Sequence, residues 1–96
     1  MLEKETAMST DERVYVGSKP ILAYVTAVLT AFSRADSVNV MARGRAISSA
    51  VDIVEVTRRR FMSDIKVDDI SIGTEILGEE GNKRNVSTIT IKLSKP

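Results

Sequence analysis

The sequence predicts a two-layer α+β domain in the order β-α-β-α-β-β, with an extended β-hairpin arm. Three observations carry this. Two apolar stretches, starting near Pro20 and Ala46, repeat at helical spacing. A short β-branched run precedes each of them. Two long alternating runs end the chain, joined directly by a glycine-containing turn, as an antiparallel hairpin requires.

Residues 1–12 lack apolar periodicity and read as a flexible acidic tail; the domain is residues 13–96. Residues 13–17 (RVYVG) are β-branched and aromatic and end in glycine, which predicts the first strand. Pro20 suits the first turn of a helix, where its missing N–H would have had no partner. From there to about Arg34, Ile21, Leu22, Val25, Val28, Leu29 and Phe32 form one apolar stripe. Asp36 and Ser37 make a turn, residues 38–43 alternate as a second strand, and Gly44 breaks it.

Residues 46–61 predict the second helix. Ile47, Ala50, Val51, Val54 and Phe61 lie along one face, and Ile53 and Val56 add a second stripe. A helix in a small domain needs one buried face, so the second stripe suggests a partner. Residues 66–77 predict the third strand, with Ile70, Ile72, Thr74 and Ile76 on one side. Residues 78–85 (GEEGNKRN) are a turn. Residues 86–95 are the last strand, with Ser87, Ile89, Ile91 and Leu93 facing one way.

Composition narrows the function. Ninety-six residues make one domain, and 43% hydrophobic with 28% charged residues is ordinary for a globular one. No apolar run is long enough for a transmembrane helix, and the acidic N-terminus has no signal-peptide pattern. The absence of cysteine removes disulfides, thiolate metal sites and cysteine nucleophiles, and fits a cytoplasmic protein. The absence of histidine removes the commonest general base and metal ligand. The chain therefore reads as no enzyme, with no metal and no cofactor. The carboxylate pairs Asp68–Asp69 and Asp52–Glu55 read as solvated surface rather than a magnesium-dependent nuclease site. The net charge is +1, but Glu3, Glu5, Asp11 and Glu12 against Lys4 give the tail −3, which leaves +4 on the domain.

The basic residues fall at loops and tips. Arg43 and Arg45 flank Gly44 just before the second helix, where backbone N–H groups favour anions and arginine adds bidentate phosphate contacts. Lys19 sits in the loop before the first helix. Lys83 and Arg84 sit at the hairpin tip, where a basic arm can enter a groove and track phosphates. On composition alone each of these could equally be a solvated surface cation, and Glu79 and Glu80 weaken the tip as an anion site. Arg58, Arg59 and Arg60 complement a helix C-terminus. Four aromatics, Tyr15, Tyr24, Phe32 and Phe61, are few for a base-stacking platform, which favours duplex backbone over single strands.

The segments VYVGSKP, ARGRAISSAVDIVEVTRRRF and NVSTITIKL, in that order, resemble the archaeal Alba family of chromatin proteins over residues 14–93. The element order also resembles the C-terminal domain of bacterial translation initiation factor three. The resemblance implies a homodimer that coats and compacts duplex DNA without sequence preference, also binds RNA, and can pack dimer against dimer. It implies nucleic-acid contacts by Lys19, Arg43, Arg45, Lys83 and Arg84, and dimer–dimer contact by Arg60 and Phe61. It places the protein on the chromosome, in the nucleoid. The family carries two lysines before the proline; here Ser18 replaces the first, which removes one charge and a position that is acetylated in some relatives. Structured RNA is the alternative ligand, and a protein partner on the second helix face a further one.

Overall fold

The computed structural model describes residues 11–96. The tail at 1–10 lies outside the described residues. Strand β1 is Asp11–Tyr15, helix α1 Ile21–Phe32, strand β2 Ser37–Arg43 and helix α2 Ala46–Val56. A wider turn, Thr57–Phe61, ends α2, and strands β3 (Lys66–Leu77) and β4 (Arg84–Ser94) complete the chain. The architecture is α+β, and it has the expected order.

The sheet runs β1-β2-β4-β3. β1 is parallel to β2, and the two other pairings are antiparallel. Both helices lie on one face. α1 packs on β1, β2 and α2, while α2 packs on β2 and β4. Alternation fixes which side chains meet them. Val38, Val40 and Ala42 of β2 point inward, in register with Leu93, Ile91 and Ile89 of β4. Tyr24, Val25, Val28, Ala31 and Phe32 of α1 close over them. Leu22, expected in this stripe, is 63% exposed.

Two boundaries differ from the sequence reading. Asp11 and Glu12, assigned to the tail, belong to β1: they pair with Ser37 and Val38, and Glu12 accepts a hydrogen bond from Arg34 at 3.0 Å. Acidic residues conceal an edge strand, because they suit its solvated side without an apolar alternation. The buried stripe of α2 is Ala50, Ile53, Val54 and Thr57, not the one centred on Val51 and Phe61. Thr57 is wholly buried, and its hydroxyl donates to the Ile53 carbonyl at 2.8 Å. From there the helix widens. The Met62 N–H donates five residues back, to Thr57 O at 2.8 Å. The wider turn shifts the helical register, so Phe61, seven residues past Val54, leaves the stripe and is 54% exposed.

β3 is the edge that no helix covers; among the described elements it packs on β4 alone. The register puts Ile70 beside Ile91 and Ile72 beside Ile89, on the helix side of the sheet. Ile70, Ile72 and Ile76 are nevertheless 57%, 84% and 67% exposed. The last β2–β4 pair is Arg43 with Thr88, so beyond it residues 74–77 and 84–87 continue as a two-stranded ribbon. They form the arm. It raises the radius of gyration to 14.9 Å, against about 12 Å for a compact chain of this length.

Candidate nucleic-acid interface

Parallel pairing brings the basic loops together. β1 and β2 run toward the same edge of the sheet, and each ends there in a short loop and a helix N-terminus. The Val16 N–H donates to Met41 O at 2.8 Å and carries the pairing to that edge. Lys19 follows β1, Arg43 ends β2 and Arg45 follows it, so all three lie at one end of the molecule. β4 enters from the same end, and the arm with Lys83 and Arg84 projects beyond it. Four residue pairs past Thr88, at about 3.4 Å each, set Arg84 about 14 Å out from Arg43.

Each loop is held by a specific contact. The Tyr24 hydroxyl accepts hydrogen bonds from the N–H groups of Gly17 (2.9 Å) and Lys19 (3.1 Å). A buried tyrosine on α1 thus fixes the backbone that presents Lys19. Gly17 allows the clamp, since a Cβ there would lie 3.3 Å from that hydroxyl. Gly44 adopts φ +58°, which lets the chain turn from β2 into α2 between the two arginines. Its N–H donates to Ser87 O at 2.9 Å and ties this turn to the base of the arm.

The five sites are exposed, but not all equally free. Arg43 points to the helix-free face of the sheet, where its Nη1 donates to Glu75 Oε1 at 2.8 Å. Arg45 occupies the N-cap position of α2 without a side-chain capping bond, and the first turn holds no acid. Lys83 lies in the arm's turn, and Arg84 opens β4 opposite Leu77. Arg60 and Phe61 are not part of this cluster. They stand at the far end of α2, about 20 Å along the helix axis from Arg45. Beside them, Glu55 accepts from Arg58 at 2.8 Å and from Arg59 at 3.2 Å. The Arg58 hydrogen bond, then that of Arg59, lowers the Glu55 pKa below its ordinary value of 4.5. Arg60 has no ion pair among the described residues.

The helix-free face holds an open concavity of about 440 Å³, lined chiefly by Tyr15, Met41, Arg43, Glu75, Thr88 and Thr90. Tyr15 is 66% exposed there. The sequence reading missed Glu75, the Tyr24 clamp and this face. Only the alternation of Val14, Tyr15 and Val16 signals an outward-facing Tyr15. Among the described residues no group of three His, Cys, Asp or Glu could hold a metal, and no helix is long and apolar enough to cross a membrane.

A family model described as Alba matches residues 12–74. A "DNA/RNA-binding protein Alba" of Methanothrix thermoacetophila is 53% identical over 89 residues, which cover 92% of this chain and 100% of the relative. "DNA/RNA-binding protein Alba 1" of Archaeoglobus fulgidus is 51% identical over 86 residues, or 88% and 97%. Among solved structures, Alba from Thermoplasma volcanium superposes with a TM-score of 0.82 at 44% identity, covering 86% of this chain and 99% of its own. An Alba protein of Trypanosoma brucei gives 0.71 at 25% identity, covering 86% and 68%.

Proposed function

The chain belongs to the Alba family, and from that premise we propose that it binds double-stranded DNA through phosphate contacts, without sequence preference. One observation carries the reading: Lys19, Arg43 and Arg45 gather at one end of the domain, and the arm bearing Lys83 and Arg84 projects from that same end. Phosphate contacts position a protein but carry no base information, so binding is insensitive to sequence. The arm reaches along a groove while the body holds the backbone. Such a protein coats and compacts chromosomal DNA and resides with it in the nucleoid.

The binding unit is a homodimer. Ile70, Ile72 and Ile76 present apolar area on the helix side of β3, and Val51 is exposed on α2, on the same side of the sheet. Apolar area of this kind on a small domain marks an interface. A second copy covers it and doubles the basic surface about a two-fold axis. Contact between dimers on DNA falls to Arg60 and Phe61, a reading supported by their exposure at the opposite end of α2.

The decisive experiment pairs Arg43→Ala with Arg45→Ala and measures duplex DNA binding over a salt series. Loss of the two phosphate contacts reduces the slope of log K against log salt by about 1.8 for each subunit engaged. A double variant that binds as tightly as the unaltered protein, with the same slope, refutes the site. RNA is the second reading, because the relatives' names include it. Competition between matched DNA and RNA duplexes decides between the two.

A further inference from the structure

The concavity on the helix-free face has a composition unlike the phosphate surface beside it. The cross-strand row at its centre is Tyr15, Met41, Thr90 and Ser71, one residue from each strand, and none of them is charged. Val14 and Val16, on either side of Tyr15, are buried, so the backbone beneath the ring is anchored while the ring stands 66% exposed. Met41 is half-buried next to it, about 4.8 Å away across the ladder. Together they make a flat, apolar, polarisable floor.

The next row is Arg43, Thr88 and Gly73. Arg43 stands at the rim. Gly73 leaves the far side of this row without a side chain, and a Cβ there would lie 3.2 Å from Thr88 Oγ1. Without a side chain at Gly73 the row stays open on that side. The half-buried hydroxyls of Thr88 and Thr90 have no hydrogen-bond partner among the described residues. On the other side of the Tyr15 row, Arg13 and Lys92 flank Asn39. Of the acids of this face, Asp69 lies beside Lys92, Glu75 is paired with Arg43 and Asp11 lies beyond Arg13, so none stands in the Tyr15 row. A strand crossing this face therefore meets cations, then an aromatic floor, then Arg43. The volume of about 440 Å³ is that of a small-ligand site.

We propose that Tyr15 is a stacking platform for an unpaired RNA base, with Arg43 on the adjoining phosphate and Thr88 and Thr90 on the ribose. Any base offers a π-face, so stacking accounts for affinity without sequence preference. The 2′-hydroxyl is a donor and an acceptor, which two partnerless threonine hydroxyls on one strand complement, and it separates RNA from DNA. The inference rests on the phosphate reading of Arg43 and deepens it: the same arginine serves a duplex along the edge and a single strand across the sheet.

The test uses the full chain with Tyr15→Ala and Tyr15→Phe, each titrated with single-stranded oligouridylate, the matching DNA strand and a DNA duplex. Circular dichroism checks the fold, which an exposed side chain leaves intact. Tyr15→Ala is expected to weaken the RNA strand at least fivefold, the low end of one lost stacking contact. Duplex binding stays unchanged, and Tyr15→Phe retains RNA affinity. In the unaltered protein the RNA strand quenches tyrosine fluorescence, and Tyr15→Ala abolishes that quenching. Unchanged RNA affinity in Tyr15→Ala overturns the proposal, as does an unaltered protein that binds the DNA strand as tightly as the RNA strand. Failure of the unaltered protein to bind any duplex overturns the phosphate reading instead.

Discussion

Glu75→Gln should tighten duplex binding. Arg43 is engaged by Glu75 at 2.8 Å, with the two side chains 58% and 50% exposed. A phosphate that takes Arg43 must break this pair or share it. Exposed pairs of this kind contribute about 0.2–1 kcal/mol. The glutamine keeps the shape and removes both the competing contact and a negative charge from the surface. At about 7 Å in water, that charge repels a phosphate by roughly 0.6 kcal/mol before salt screening. The two effects together give about 1 kcal/mol, or about a fivefold gain in affinity for each subunit engaged. Fluorescence anisotropy with a short labelled duplex, repeated across a salt series, reads both quantities needed. The affinity should rise across the series, with the log–log salt slope nearly unchanged because Arg43 contacts phosphate in both proteins. Equal affinity with a parallel salt dependence, or weaker binding, would refute the argument that Glu75 competes for Arg43.

Other perturbations probe the remaining parts. Tyr24→Phe removes the acceptor for the Gly17 and Lys19 amides; these should exchange faster with solvent, and duplex binding should weaken through a loosened Lys19, whereas unchanged exchange at both amides argues against the clamp. Ile72→Lys places a charge on the most exposed isoleucine of β3, so sedimentation should show monomer with a native circular dichroism spectrum, and a persistent dimer would move the interface elsewhere. Glu55 has a lowered pKa in the folded chain, chiefly through Arg58. Its contribution to stability is therefore complete above the unfolded value and is lost as pH falls through the lower folded one. Denaturant midpoints of Glu55→Gln should accordingly converge on those of the unaltered protein in acid and fall below them near neutrality, and a constant gap across that range would discount the linkage.

The element order was legible because period sets it. The inward alternation of Val38, Val40 and Ala42, and of Ile89, Ile91 and Leu93, is plain in the sequence and matches the core. So was the family, through the glycine and arginines before α2 and the hairpin that follows. What could not be read depends on pairings between distant segments. Nothing local to Glu75 announces Arg43, because the partnership follows from β2 and β3 both pairing with β4. The α2 stripes overlap at Ala50 and Val54, so periodicity alone could not choose between Val51 and Ile53. The sheet chose Ile53. Asp11 and Glu12 looked like tail because an edge strand needs few apolar residues.

The β2–β4 pairing also divides the chain kinetically. It joins Arg43 to Thr88 and Ser37 to Ser94, across 45 and 57 residues, whereas β1 meets β2 across 26 and β3 meets β4 through one turn. Closing distant pairs is the slow entropic step in folding. The first βαβ unit and the last hairpin can therefore each take shape from near neighbours, and their docking comes late. Lys19, Arg43 and Arg45 belong to the first unit, Lys83 and Arg84 to the second. The complete basic surface exists only after docking, so a ligand bound across both parts would favour the finished fold and, by mass action, hold the hairpin in place against reopening.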